Sequence, residues 1–207
     1  MDFQKLVDLY QEMENTSSGN KIREILSGFF KEVPAEDIKV ISYLTLGRIA
    51  SEYEDVVLGL AEKSILKAVA KAAGVEESKT ARSMQETGDA GLTAEKSLQK
   101  KPQTLVPLGK LSVKEVFEKL HKITEASGTG SQETKINILV GLLQKASPKG
   151  AKYIVRIALG TLRMGVADMT MLDSLAIAYT GDKKDKESLE KAYNLCPDVG
   201  IIAETLA

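Results

Sequence analysis

Four basic side chains define the chemistry this sequence can offer. Lys149, Lys152, Arg156 and Arg163 follow one another at spacings of 3, 4 and 7. At about 100° per residue, those spacings place all four within roughly a sixth of a turn on one side of a helix. No acidic residue lies between Glu133 and Asp168, whereas that interval holds Lys135, Lys145, Lys149, Lys152, Arg156 and Arg163. The whole chain has 28 basic and 29 acidic residues, a formal net charge of −1. The segregation is therefore local. Solvated helix faces ordinarily mix signs, so a single-signed stripe reads as a surface for a polyanion. Gly150 lies within the stripe and is counted with it.

Two loops flank the stripe. Ser127-Gly128-Thr129-Gly130-Ser131 leads into the helix that carries Lys135. Glycine lets backbone approach a ligand closely, and a helix N-terminus offers free N–H groups at the positive end of its dipole. That combination suits a phosphate, although ordinary capping explains the serine and threonine equally well. No Gly-Lys-Ser/Thr follows, so this is not a Walker A loop. Gly165 either turns the chain or brings bare backbone close to a sugar. Catalytic constellations are lacking. A single histidine, His121, and a single cysteine, Cys196, argue against a triad, a His/Cys metal site and a disulfide scaffold. No carboxylate is placed for acid–base tuning, and Glu62 and Asp168 read as helix caps. No catalytic or metal-binding residue is assigned.

The elements that position these groups are helices. At 207 residues, 43% hydrophobic, the chain is long enough for one large domain or two small ones with real cores. Apolar positions recur at helical spacing over 2–14, 20–31, 35–48, 63–73, 78–86, 92–100, 112–124, 132–145, about fifteen residues after Pro148, 170–179, 184–194 and 199–206. Residues 101–111 hold two prolines and a glycine without helical period, and read as an extended connector. No apolar run approaches the roughly 20 residues that span a bilayer. The amphipathic, acidic start is unlike a signal peptide. The fold expected is all-α, with about twelve helices.

The two sides of the connector resemble each other. Residues 20–26 up to Pro34 align with 134–140 up to Pro148 at a constant offset of 114; 58–66 align with 164–172 at 106; 88–95 align with 197–204 at 109. Three blocks in one order indicate internal duplication, with halves of about 1–100 and 110–207 packed as one pseudo-twofold domain. Arg163 falls opposite Val57, and Arg156 opposite Tyr43. Val57 and Tyr43 are expected to be packed, which would leave the cationic stripe to the second copy alone.

Together these residues carry a resemblance. LGTLRMGVAD, with SGTGSQETK upstream, CPDVGIIAETL downstream and the earlier GDAGLTAEKSL block, is similar to the N-terminal DNA-binding domain of ATP-dependent DNA ligases, closest to archaeal members and similar to replicative eukaryotic ones. The resemblance covers essentially all of residues 1–207. It implies sequence-independent binding of nicked duplex DNA over the minor groove, in replication and repair. It places contacts at Gly128, Thr129, Gly130, Ser131, Lys135, Arg156, Arg163 and Gly165; Lys149, Gly150 and Lys152 are added from the stripe. ATP and Mg²⁺ are implied for the full-length ligase and no cofactor for this portion. The nucleotidyltransferase motif Lys-x-Asp-Gly is absent from the chain. The adenylation and oligonucleotide-binding domains are therefore implied as partners outside it. The family's sliding-clamp stretch corresponds to 99–106, where the glutamines are kept but no aromatic residue is. The implied location is the archaeal cytoplasm with the nucleoid, or a eukaryotic nucleus, with no membrane partner. A helical protein-binding adaptor is the alternative. A helix-turn-helix regulator fits less well, because the stripe is short of Asn and Gln for base-edge pairing.

Overall fold

A computed structural model of the chain describes residues 1–99, 109–181 and 185–207. Among them are twelve α-helices: α1 (Phe3–Glu14), α2 (Gly19–Phe30), α3 (Ala35–Thr45), α4 (Glu62–Ala73), α5 (Glu77–Thr87), α6 (Ala90–Leu98), α7 (Val113–Glu125), α8 (Ser131–Lys145), α9 (Pro148–Ala158), α10 (Asp168–Tyr179), α11 (Lys186–Leu195) and α12 (Val199–Leu206). A 3₁₀ turn at Glu52–Glu54 follows α3. The fold is all-α.

Local side-chain chemistry sets five of these twelve helix starts. Side chains of Ser18, Asp89, Ser112, Ser147 and Asp198 accept the free N–H groups of Lys21, Leu92, Glu115, Gly150 and Ile201. Pro148 occupies the first turn of α9, where its missing N–H costs no hydrogen bond. Gly74 and Gly88 close α4 and α5 in the left-handed conformation.

Tertiary contacts gather the helices into two compact units. One comprises Met1, residues 5–56 and 162–207; the other comprises residues 2–4 and 57–161. In the first, α2 packs on α10, α3 on α12, and α11 on both α10 and α12. Leu6, Tyr10, Leu26, Phe30, Ile41, Leu44, Leu172 and Leu175 are buried there. In the second, α4 packs on α8, α6 on α9, and α7 on α8, over buried Ile65, Val69, Leu120, Ile123, Leu139, Tyr153 and Ile154. Each unit thus draws helices from both sides of the connector. If α1–α6 are matched in order with α7–α12, the pair α2/α10 corresponds to α8/α4 and α3/α12 to α9/α6. Both units therefore use the same packing scheme.

Two matched helix crossings, each made at a glycine, show this in detail. A Cβ on Gly91 of α6 would lie 2.7 Å from the Lys152 carbonyl oxygen and 2.8 Å from Arg156 Cγ on α9. A Cβ on Gly200, its counterpart in α12, would lie 2.4 Å from the Tyr43 ring on α3. Only a residue without a side chain permits either approach.

A candidate nucleic-acid interface

The helix that carries the stripe is shorter than its periodicity predicts. α9 ends at Ala158, because Gly160 turns left-handed (φ 64°) and the Thr161 N–H reaches back 2.8 Å to the Arg156 carbonyl. This is a glycine-terminated helix end, in which the last carbonyls are met by residues beyond the glycine. Arg163 consequently lies on the following loop and belongs to the first unit, while Lys149, Lys152 and Arg156 belong to the second.

Acids from other elements pair with two cations of the acid-free segment, Arg156 and Lys145. Arg156 directs Nε and Nη2 at the Asp89 carboxylate, 3.2 Å each, and only 16% of its side chain is exposed. Lys145 pairs with Glu115 at 2.7 Å. Lys149 is exposed; Lys152 is half-buried with Nζ 4.9 Å over the Tyr153 ring. Gly150 is buried, its N–H held by Ser147. The repeat explains Arg156. Tyr43, its counterpart, donates its hydroxyl to Asp198 at 2.8 Å, and Asp198 is the counterpart of Asp89. Both residues serve a helix-capping carboxylate. Their difference in charge reflects two solutions to one packing problem, and does not mark a surface found in one copy alone. Val57, by contrast, is not packed: it is 70% exposed on its loop.

In the second unit, the start of α8 meets the loop before α4: Gln132 donates its side-chain amide to the Gly59 carbonyl at 3.5 Å. Gly128 and Gly130 adopt φ values of 80° and 83°, and residues 127–130 are exposed. Gly130 occupies the cap position, where no side chain caps α8. Ser131 is half-buried; its N–H bonds to the Gly128 carbonyl. Glu133 sits in the first turn of α8 beside Lys67 and Lys71, and the Lys71 hydrogen bond holds its carboxyl below the usual range. Lys135 turns inward. It is buried, with Nζ donating to the Leu58 carbonyl at 2.9 Å, and so fixes the loop that displays Val57.

The first unit builds the equivalent pair of loops. Residues 15–18, before α2, face residues 162–167, before α10, around a cavity of about 400 Å³ lined by Thr16, Ser17, Gly19, Ile22, Arg163 and Gly165, among others. Arg163 is exposed and has no ion-pair partner among the described residues. Gly165 holds φ 68°, with the Ile22 side chain 3.2 Å from where a Cβ would stand. Asp168 opens α10 without capping it. Its carboxylate instead takes Arg48 and the Tyr193 hydroxyl. Sequence reasoning missed both partners, since they lie 120 and 25 residues away in the chain. The stretch 99–106 lies outside the described residues apart from Gln99.

An all-α module with one packing scheme used twice, and with paired loops before equivalent helices, is the class of protein this architecture defines. The family model described as DNA ligase N terminus matches residues 2–176, and the chain belongs to that family. It is 44% identical to DNA ligase 2 of Thermofilum pendens, aligned over all of this chain and 36% of that protein. It is 38% identical to DNA ligase 1 of Methanosarcina acetivorans, over 99% of this chain and 34% of that protein. Against the DNA ligase of Nitrosopumilus maritimus, identity is 38% over all of this chain and 35% of the relative. The chain thus spans about a third of the length of these ligases. Among the described residues, no helix is long and apolar enough to cross a membrane.

Proposed function

We propose that this chain binds duplex DNA without sequence preference, over the minor groove beside a nick, as the DNA-binding part of an ATP-dependent DNA ligase. Arg163 carries the reading: it is an exposed guanidinium with no protein counter-ion among the described residues, on a loop whose Gly165 leaves backbone uncovered. Gly128, Thr129, Gly130 and Ser131 supply backbone and hydroxyl contacts from the second unit, and Lys149 and Lys152 supply charge. Gly150 allows close packing beneath the lysines. Lys135 and Arg156 act from behind the surface by holding the Leu58 loop and the start of α6. The exposed contacts are to phosphate and sugar, which position a duplex without reading its sequence. Adenylation by ATP with Mg²⁺, and the adenylation and oligonucleotide-binding domains that perform it, belong to the whole ligase; no residue of this chain is assigned to either cofactor.

Titration of the purified chain with unrelated nicked and intact duplexes at several salt concentrations tests the reading. About three to four phosphate contacts give a slope of log K against log salt of roughly −3 to −4. A strong preference for one sequence would favour a base-reading regulator. No duplex binding at low salt would favour the helical adaptor.

A further inference from the structure

We propose that Arg48 is a positioning residue for Arg163, acting with Tyr193 through Asp168; this rests on the DNA-binding reading above. Residues 47 and 48 hold both ends of the segment that displays Arg163. At the leading end, Gly47 (φ 72°) comes so close to Leu162 that a Cβ on it would lie 3.2 Å from the Leu162 Cβ. At the trailing end, Arg48 places Nη1 and Nη2 each 3.2 Å from the two Asp168 carboxylate oxygens. Tyr193 donates its hydroxyl to Asp168 Oδ2 at 3.0 Å. The Asp168 side chain is only 14% exposed. The Arg48 backbone is itself tied to α3 by its N–H, 2.9 Å from the Tyr43 carbonyl.

The chemistry of the clamp indicates its purpose. A carboxylate at the first position of a helix stabilises that helix by the dipole alone. It does not require a two-pronged arginine and a half-buried tyrosine hydroxyl as well. Bidentate guanidinium–carboxylate geometry fixes orientation as well as distance. Here the orientation fixed is that of the chain just after Arg163 and Gly165. Arg48 also pairs with Glu52 at 3.0 Å, so its charge is committed twice and is not offered to DNA. A loop fixed at both ends loses less freedom when a ligand orders its tip, and the saving goes into affinity. The second unit holds its equivalent loop by another device, the Lys135 ammonium on the Leu58 carbonyl. The clamp therefore belongs to the loop that carries an arginine.

The experiment measures nicked-duplex affinity at one low salt concentration for wild type, Arg163→Ala, Arg48→Ala, Tyr193→Phe, and each of the last two combined with Arg163→Ala. Thermal melts and amide hydrogen exchange over residues 162–167 are recorded beside it. Arg48→Ala is expected to weaken binding about three- to tenfold in wild type and less than about 1.5-fold once Arg163 is gone, because coupled residues do not add. Tyr193→Phe changes no charge and should show the same pattern at about two- to threefold. It carries the test if Arg48→Ala fails to fold. Exchange over 162–167 should speed up in both. Equal losses with and without Arg163 would overturn the proposal by making Arg48 a direct contact or a general stabiliser. Normal binding by folded Arg48→Ala and Tyr193→Phe, where Arg163→Ala binds weakly, would overturn it alone. Normal binding by Arg163→Ala would remove the underlying reading of this loop and the proposal with it.

Discussion

At the scale of single residues, arginines with the same sequence signature have different work. Arg156 is mostly covered and bonded to the carboxylate that caps α6; Arg163 stands in solvent. Arg156→Ala should therefore cost about 1–2 kcal/mol of stability by leaving Asp89 without its partner. Arg163→Ala should stay within about 0.5 kcal/mol of wild type yet shallow the salt slope by about one. Paired chemical denaturation and salt titrations separate the two, and equal stability losses would refute the assignment. Tyrosines make a second prediction at this scale. Burial, and a hydrogen bond to Asp168, push the Tyr193 hydroxyl up to about 12; burial also raises Tyr10 and Tyr43 above the ordinary tyrosine range. A group with a raised folded-state pKa contributes stability that is fully present below its unfolded value, about 10 for tyrosine, and lost as pH rises through the folded value. The urea midpoint should hold steady to about pH 9.5 and fall between there and about pH 12. A midpoint unchanged at pH 11.5 would contradict this.

At the scale of elements, the crossings of α6 on α9 and of α12 on α3 depend on having no side chain at one point each. In Gly91→Ala the new methyl meets the Lys152 backbone oxygen, which cannot rotate away; in Gly200→Ala it meets the buried Tyr43 ring. Overpacking of this kind costs about 1–3 kcal/mol, and both variants should melt clearly below wild type. Gly28 in α2 and Gly141 in α8 are the contrast, since a Cβ at either meets nothing within 4 Å. There alanine should stabilise by roughly 0.5–1 kcal/mol through helix propensity. Melting temperatures of the four variants decide the matter, and a stable Gly91→Ala would mean that the crossing is looser than its geometry.

At the scale of the whole molecule, the chain belongs to the family described as DNA ligase N terminus and lacks Lys-x-Asp-Gly. Incubated with labelled ATP and Mg²⁺, it should form no covalent AMP adduct and seal no nick. An acid-stable or base-stable adduct on the purified chain would contradict the proposed division of labour. The repeated packing scheme gives the architecture its economy: α2 and α3 rest on α10 and α12 in one unit, as α8 and α9 rest on α4 and α6 in the other.

The sequence by itself determined the all-α class and most of the helices, whereas Glu62 and Asp168, read as caps, lie inside α4 and α10 and cap neither. The helices depend on residues within a few positions of one another: apolar spacing of 3 and 4, Ser or Asp before a helix, Gly after it. It also determined the family, because blocks such as LRMGVAD are contiguous. The end of α9 was misplaced: helical spacing was read about fifteen residues past Pro148, whereas Gly160 turns left-handed and ends the helix at Ala158. The partners of the charges were decided only by tertiary structure. An acid-free segment in sequence acquires Asp89 and Glu115 from other helices, Lys135 is drawn inward to a carbonyl 77 residues away, and Val57 is left exposed. Charge pairing acts over a few ångströms of space and is indifferent to distance along the chain, so the solvent-facing cations became distinguishable from the structural ones only once the helices were packed.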